Sequence, residues 1–174
     1  EIINFIASAK KTLPHLHIPL QSGSNNILKL MKRRYDVELY KSKIQKIKGI
    51  LPQCCIGVDV IVGFPSETDE DFLRTYDFLN ELDISYLHVF SYSEREHTKA
   101  ILINDKIPEM IKKNRRKILV SLSNRKKSNF IKSNLGENYN ILFESYGEGH
   151  ISGLTENYIK VYVNGNKELI NQIH

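Results

Sequence analysis

The chain has 174 residues, 41% of them hydrophobic and 26% charged, and a net charge of +5. That is enough for one ordinary domain with a small appendage, in a composition typical of soluble globular proteins rather than disordered or fibrous ones. No apolar run approaches the ~18 residues of a membrane span, and Glu1-Ile2-Ile3 carries no basic leader or cleavage pattern, so no membrane partner is expected.

The two cysteines are adjacent, Cys54 and Cys55. This argues against a structural disulfide and for a reducing, cytoplasmic location. Two thiols alone make a poor metal site, since thiolate centres need three or four ligands. Charge is unevenly spread. Met110 to Gly136 contains no acidic residue and carries +9, leaving −4 on the rest of the chain. Such a segment reads either as a solvated helix face or as a surface for a polyanion.

In chain order, residues 1–12 read as the tail of a helix, with Ile2, Phe5, Ile6 and Ala9 on one face. HLHIPL at 15–20 is a strand, with a helix opening near Ser24-Asn25. Val37, Tyr40, Ile44, Ile47 and Leu51 recur at helical spacing before Pro52 stops them. CIGVDVIV at 55–62 is the strongest strand, and Thr68 with Asp71 forms a capping box for a helix whose stripe is Phe72, Tyr76, Leu79 and Leu82. SYLHVFSY at 85–92 is a third strand. Alternating strands and helices at this spacing predict a parallel sheet or barrel segment.

A long basic helix is then predicted over 109–134, with Ile111, Ile118, Leu119, Leu122 and Phe130 on its buried side and Gly136 ending it. Four β-rich runs follow: YNILFES, GHISGL, YIKVYV and ELINQI. They predict a small antiparallel unit so short that a further strand is expected to complete it. The domains are thus 1–108, a basic connector at 109–136 and a β unit at 137–174.

Two strand-to-helix turns carry the candidate chemistry, because ligands in α/β folds bind beyond the carboxyl ends of strands. After the second strand, Gly63 lets backbone approach a ligand, Phe64-Pro65 stiffens the exit, and Ser66, Glu67 and Thr68 offer polar groups. The pattern suits a nucleoside, or else an ordinary turn in which Glu67 complements the helix dipole. Gln21, Ser22 and Ser24 hold the equivalent place after the first strand, where they can bind a ribose or carboxylate or cap the next helix. His15 and His17 share a strand face but have no third ligand nearby in sequence, so no metal site is assigned, and no catalytic residue either. His88 reads as core or pocket lining on the face of Tyr86, Phe90 and Tyr92.

HIPLQSGSNNILKLMKRRY, VDVIVGFPSETDEDF, YLHVFSYSER and GLTENYIKVYV, in this order, resemble the methylthiotransferase family of radical S-adenosylmethionine enzymes. The match is to the second half of the radical domain and to part of the C-terminal TRAM domain, an OB-like RNA-binding barrel. It is greatest for the branch acting on threonylcarbamoyladenosine beside the tRNA anticodon. The resemblance implies an α/β fold: a partial parallel (β/α) barrel, then a basic helix and a small antiparallel β-barrel-like domain.

It also implies S-adenosylmethionine and two 4Fe–4S clusters as cofactors, with the transfer tRNA anticodon stem-loop and an electron donor as partners. One cluster cleaves S-adenosylmethionine to a radical that abstracts hydrogen from adenine carbon 2. A second cluster supplies sulfur. Both sets of cluster cysteines are absent, so the chain alone is expected to be inactive. Carried over by position, Val62, Gly63 and Glu67 would line the adenine, Gln21 and Ser22 the ribose or methionine part, and Val89, Phe90 and Ser91 the base edge. Lys112, Arg115, Arg116, Arg125, Lys126 and Lys127, with Asn157, Tyr158 and Lys160, would bind RNA. Ser66 stands where the family usually has glycine. The rival readings are a non-catalytic RNA-binding module, a sister enzyme for isopentenyladenosine or a ribosomal protein, and an unrelated nucleotide-binding barrel.

Overall fold

The computed structural model describes residues 2–9 and 11–174. Its first unit is a three-stranded parallel sheet in the order β1 (His15–His17), β2 (Cys55–Val62), β3 (Tyr86–Ser91). β2 lies in the centre because it is apolar on one side at every second residue. Ile56, Val58, Val60 and Val62 are all fully buried beneath the helices. That face packs on α3 (Val37–Ile50) through Tyr40, Ile44 and Ile47, and on α4 (Asp69–Glu81) through Phe72 and Leu79.

The predicted capping box forms. Thr68 accepts from the Asp71 amide at 3.1 Å while Asp71 accepts from the Thr68 amide at 3.2 Å. The short α2 (Asn25–Leu30) starts after Ser24, whose side chain does not cap it. The first helix, α1 (Ile2–Ser8), is shorter than expected and buries none of its residues, since Ile2 and Phe5 are 75% and 66% exposed.

The opposite sheet face carries His15, His17, Asp59, Ile61, Tyr86, His88 and Phe90, because strand side chains alternate and the register pairs Asp59 with His88 and Ile61 with Phe90. Gly57 belongs to this face, and a Cβ there would lie 2.4 Å from the Tyr86 ring. The absence of a side chain lets that ring lie across the strand.

The basic helix, α5 (Glu109–Ser133), runs along the outer edge of β3. Its Ser123 hydroxyl accepts from the Leu87 amide at 2.8 Å and donates to the Leu87 carbonyl at 3.0 Å. Arg116 donates to the Val89 carbonyl at 3.3 Å. Side chains thus satisfy an edge that would otherwise be open. The expected buried stripe of α5 is only half right. Leu119 and Leu122 are buried, but Ile111 and Ile118 are exposed, and Lys112, Arg115 and Ser123 take the inner positions.

The C-terminal unit is an antiparallel sheet of β4 (Ile141–Gly147), β5 (His150–Thr155) and β6 (Lys160–Asn164). The fourth predicted strand, ELINQI, does not form as drawn. It begins as a 3-10 turn at Lys167–Leu169, and residues 171–174 then return along the free edge of β4, where Ile141 and His174 exchange backbone hydrogen bonds of 2.7 and 3.0 Å. Among the described residues no helix is long and apolar enough to cross a membrane.

Candidate functional site

Just past β1 the chain turns through Gln21, which has φ +74° and bridges to Val60 in the sheet. Its amide donates to the Asp59 carbonyl at 2.8 Å and its carbonyl accepts from Ile61 at 2.9 Å, so the residue is fixed against the central strand. Beside it, over the open face at the carboxyl-terminal halves of β2 and β3, opens a cavity of about 550 Å³. Ile61, Phe90 and Tyr92 give it apolar walls, while Gln21, Ser91 and Ser93 contribute neutral polar groups. Arg33, Arg95 and Asp59 contribute charge. Apolar walls with a few convergent polar groups are the usual makeup of a small-molecule site.

Of the residues predicted around a nucleoside, Gln21, Phe90 and Ser91 line this cavity. The others have structural duties. The side chains of Val62 and Val89 point into the core, at 0% and 8% exposure. Ser22 is fully buried, accepts from the Ser24 amide at 3.2 Å and shares a hydrogen bond with Thr75. Ser24 donates to Asp71 at 2.6 Å, tying the start of α2 to α4.

Gly63 faces protein rather than a ligand. Its φ is +73°, and a Cβ there would lie 2.3 Å from Cγ of Lys112. Glu67 is also turned inward, 2% exposed, where it accepts from the Gly63 amide at 2.7 Å and from Arg115 at 2.6 Å. Burial pushes its carboxyl above the ordinary range, against the Gly63 amide and the Arg115 guanidinium. Arg115 continues to the Glu67 carbonyl at 3.0 Å and to Asp69 at 2.7 Å. The turn after β2 is therefore clamped to α5. Ser66 holds φ +67°, the conformation that glycine adopts without strain, and its amide donates to the Asp105 carbonyl at 2.8 Å.

These contacts correct two of the RNA assignments. Lys112 and Arg115 are 8% and 5% exposed and are spent on Glu109, Glu67 and Asp69, so neither can neutralise a phosphate. Asn157 is a third correction. It is fully buried and donates to Asn134 at 2.8 Å and to the Gln53 carbonyl at 3.3 Å. Arg125 and Lys126 are partly committed, to Asn80 and to the carbonyls of Asn80 and Leu82. Burial lowers the Lys126 ammonium below its ordinary value.

Lys127, Tyr158 and Lys160 do converge, with His15, Tyr86 and Tyr162, on a cleft of about 660 Å³ between the two units. Tyr158 and Tyr162 are 50% and 65% exposed, and the Lys160 ammonium lies 5.4 Å from the centre of the Tyr162 ring. Exposed rings interleaved with cations are the surface on which unpaired bases stack.

The histidines regroup. His15 shares a 2.9 Å hydrogen bond with the Tyr86 hydroxyl and stacks on Tyr158 with ring centres 4.1 Å apart. Burial holds it below the ordinary histidine pKa. His17 instead meets Asp59 at 2.8 Å, and His88 joins them. Period two in β2 places Asp59 opposite the Val58 and Val60 face, but its pairing with His88 is a long-range register that no local pattern announces. Cys54 and Cys55 are both buried, and burial raises the Cys54 thiol to about 11. Two adjacent buried thiols do not fit a cluster ligand set.

Residues 1–79 match the Radical SAM superfamily. The chain is 45% identical over 169 residues to threonylcarbamoyladenosine tRNA methylthiotransferase MtaB of Aquifex aeolicus (strain VF5), covering 97% of this chain and 40% of that protein. It is 38% identical to the MtaB of Bacillus subtilis (strain 168), covering 99% and 40%. It is also 38% identical to tRNA-2-methylthio-N(6)-dimethylallyladenosine synthase of Endomicrobium trichonymphae, covering 98% and 41%. The chain thus spans about 40% of the length of these relatives. Among solved structures, coproporphyrinogen III oxidase (HemN) of Escherichia coli, a radical SAM enzyme, shares the fold with a TM-score of 0.55 at 21% identity, over 65% of this chain and 27% of that one. The resemblance read from the four sequence motifs is the one these comparisons return.

Proposed function

We propose that this chain, a relative of the radical S-adenosylmethionine methylthiotransferases, is the C-terminal part of an enzyme that adds a methylthio group to carbon 2 of threonylcarbamoyladenosine in tRNA. The observation that carries the reading is the 45% identity to a named MtaB over 97% of the chain. In this reading residues 1–108 are the rear of a parallel (β/α) barrel, 109–136 a basic connector and 137–174 a TRAM-like RNA-binding unit. The partner would be the anticodon stem-loop, in the cytoplasm where tRNA is found, with a separate electron donor.

The cavity beside Gln21 fits an S-adenosylmethionine molecule in size and chemistry. Ile61, Phe90 and Tyr92 offer faces for the adenine, Gln21 and Ser91 groups for the ribose, and Arg33 and Arg95 guanidinium groups for the carboxylate. When bound with its reduced cluster, that cofactor supplies a radical for hydrogen abstraction. The role of these residues is to bind, orient and shield it. Cys54 and Cys55 do not suit a 4Fe–4S cluster, so ligands for the two clusters of this reading would come from outside the chain. The Tyr158–Tyr162–Lys127–Lys160 cleft would hold unpaired bases and their phosphates.

The test is mass spectrometry of tRNA nucleosides from a strain lacking the intact gene. Loss of the methylthio group from threonylcarbamoyladenosine, restored by the gene, is expected. Loss from the isopentenyl nucleoside alone would favour the sister activity, for which the 38% identity to a dimethylallyladenosine synthase speaks. An unchanged nucleoside profile would sink both.

A further inference from the structure

On the open face of the parallel sheet, each of the three strands contributes one potential ligand: His17 from β1, Asp59 from β2 and His88 from β3. Asp59 and His88 are direct register partners, and His17 pairs with Gly57, the same-face residue preceding Asp59. Their donor atoms all lie within 4.8 Å of one another, the only such group of three among the described residues. We propose that these residues form a mononuclear site for a divalent first-row transition ion such as Zn²⁺, Co²⁺ or Fe²⁺. The inference does not depend on the methylthiotransferase reading.

Three features support a site over a plain surface ion pair. First, the spacing is close to what a metal requires. Tetrahedral Zn–N bonds of about 2.0–2.1 Å put ligand atoms roughly 3.3 Å apart, inside the 4.8 Å that bounds the three donors here. His17 and Asp59 stand at 2.8 Å in a hydrogen bond whose proton an ion would replace, and rotation of the side chains on a rigid sheet would bring the set to metal spacing.

Second, an ion pair accounts for only two of the three residues. The His88 ring lies 5.3 Å from the His17 ring, tilted by 31°, and meets the Tyr86 ring edge-on at 5.1 Å. Nothing among the described residues hydrogen-bonds it. Third, the chemistry is selective. Two imidazoles and one carboxylate suit imidazole-loving ions rather than Mg²⁺ or Ca²⁺, and three protein ligands leave positions open for water or an anion. Asp59 also lines the 550 Å³ cavity, so an open position would adjoin a space rimmed by Arg33 and Arg95.

The test is titration of the chain with Co²⁺ in chelator-treated buffer, read by visible absorption, with Zn²⁺ competition by calorimetry. One equivalent per chain is expected. Asp59→Asn and His88→Ala should each weaken binding at least tenfold, and His15→Ala should leave it unchanged. Paramagnetically shifted imidazole protons from two histidines, assigned in the unsubstituted chain, give a readout that needs no variant to fold. Binding that persists equally in both variants, follows His15, or fails to reach one equivalent at millimolar Co²⁺ would overturn the site.

Discussion

The Arg115 guanidinium lies 2.6 Å from the Glu67 carboxylate, and both side chains are almost fully buried, joining the long basic helix to the turn after the central strand. Burying a charge without its partner is costly, typically about 3–5 kcal/mol when one member of a buried pair is removed. Arg115→Met or Glu67→Leu should therefore lower the denaturation midpoint sharply. Arg115→Met combined with Glu67→Leu should recover a large part of the loss, since no lone charge is left behind. A double-mutant cycle in urea measures the coupling. Additive losses would show that the pair does not act as a unit.

Gly63 is required for two separable reasons, a φ of +73° and the stem of Lys112 packed against its Cα. A left-handed non-glycine residue costs about 1–2 kcal/mol, and forcing a methyl into packed space about 1–3 kcal/mol more. Gly63→Ala should show both costs, and adding Lys112→Ala should remove only the second. Full rescue by Lys112→Ala would mean that the backbone conformation carries no strain, and no rescue would mean that the side chain is not the obstacle.

Much of the fold was legible because its signals are local. The Val58–Val60–Val62 alternation, the Thr68–Asp71 cap and the uninterrupted helix before Gly136 each need only a short window. The candidate site was less so. Gln21, Phe90 and Ser91 reach a common cavity, but the residues that complete it, Arg33, Asp59 and Arg95, come from separate segments. Positive charge and the family resemblance together assign Lys112 and Arg115 to phosphate. A signal did exist: extending the Leu119–Leu122 stripe backward by four and then three residues lands on Arg115 and Lys112, the inner face of the helix. What the sequence could not supply was the buried Glu67 waiting there. That meeting depends on how α5 crosses the sheet edge.

Asp71 gives a pH-dependent test. Burial raises its carboxyl, but hydrogen bonds from Ser24 and from the Thr68 hydroxyl and amide outweigh it and hold the group below the ordinary 3.8. A carboxyl depressed on folding contributes stability that is complete above its unfolded pKa and lost as pH falls through the folded value. Ser24→Ala should thus cost about 1.5–3 kcal/mol at pH 7, the range for a hydrogen bond to a charged group. The cost should shrink below about pH 4, as Asp71 protonates in the unfolded chain and then in the variant. Thermal melts of both proteins between pH 3 and 7 measure it. A cost that stays constant over that range would mean the Ser24 contact owes nothing to the charge.

Asn157 joins the β unit to the rest of the protein. Its amide donates to Asn134 at the end of α5 and to the Gln53 carbonyl before β2, and its oxygen accepts from Thr155 at 2.7 Å. Asn134 Oδ1 also accepts from the Tyr139 hydroxyl, so the network spans the junction. Replacing Asn157 by Ala removes the ties to Asn134 and Gln53 and leaves the buried Thr155 hydroxyl without its acceptor, a cost of about 1–3 kcal/mol. Asn157→Asp should behave alike, because a carboxylate cannot donate to either oxygen. The expected signature is local. Amide exchange in β4–β6 should accelerate while that of β2 and β3 stays slow, and the stacking of Tyr158 on His15 should loosen because the two residues belong to different units. Equal acceleration in both sheets would mean that the two units unfold as one, and that Asn157 supports global stability rather than the junction.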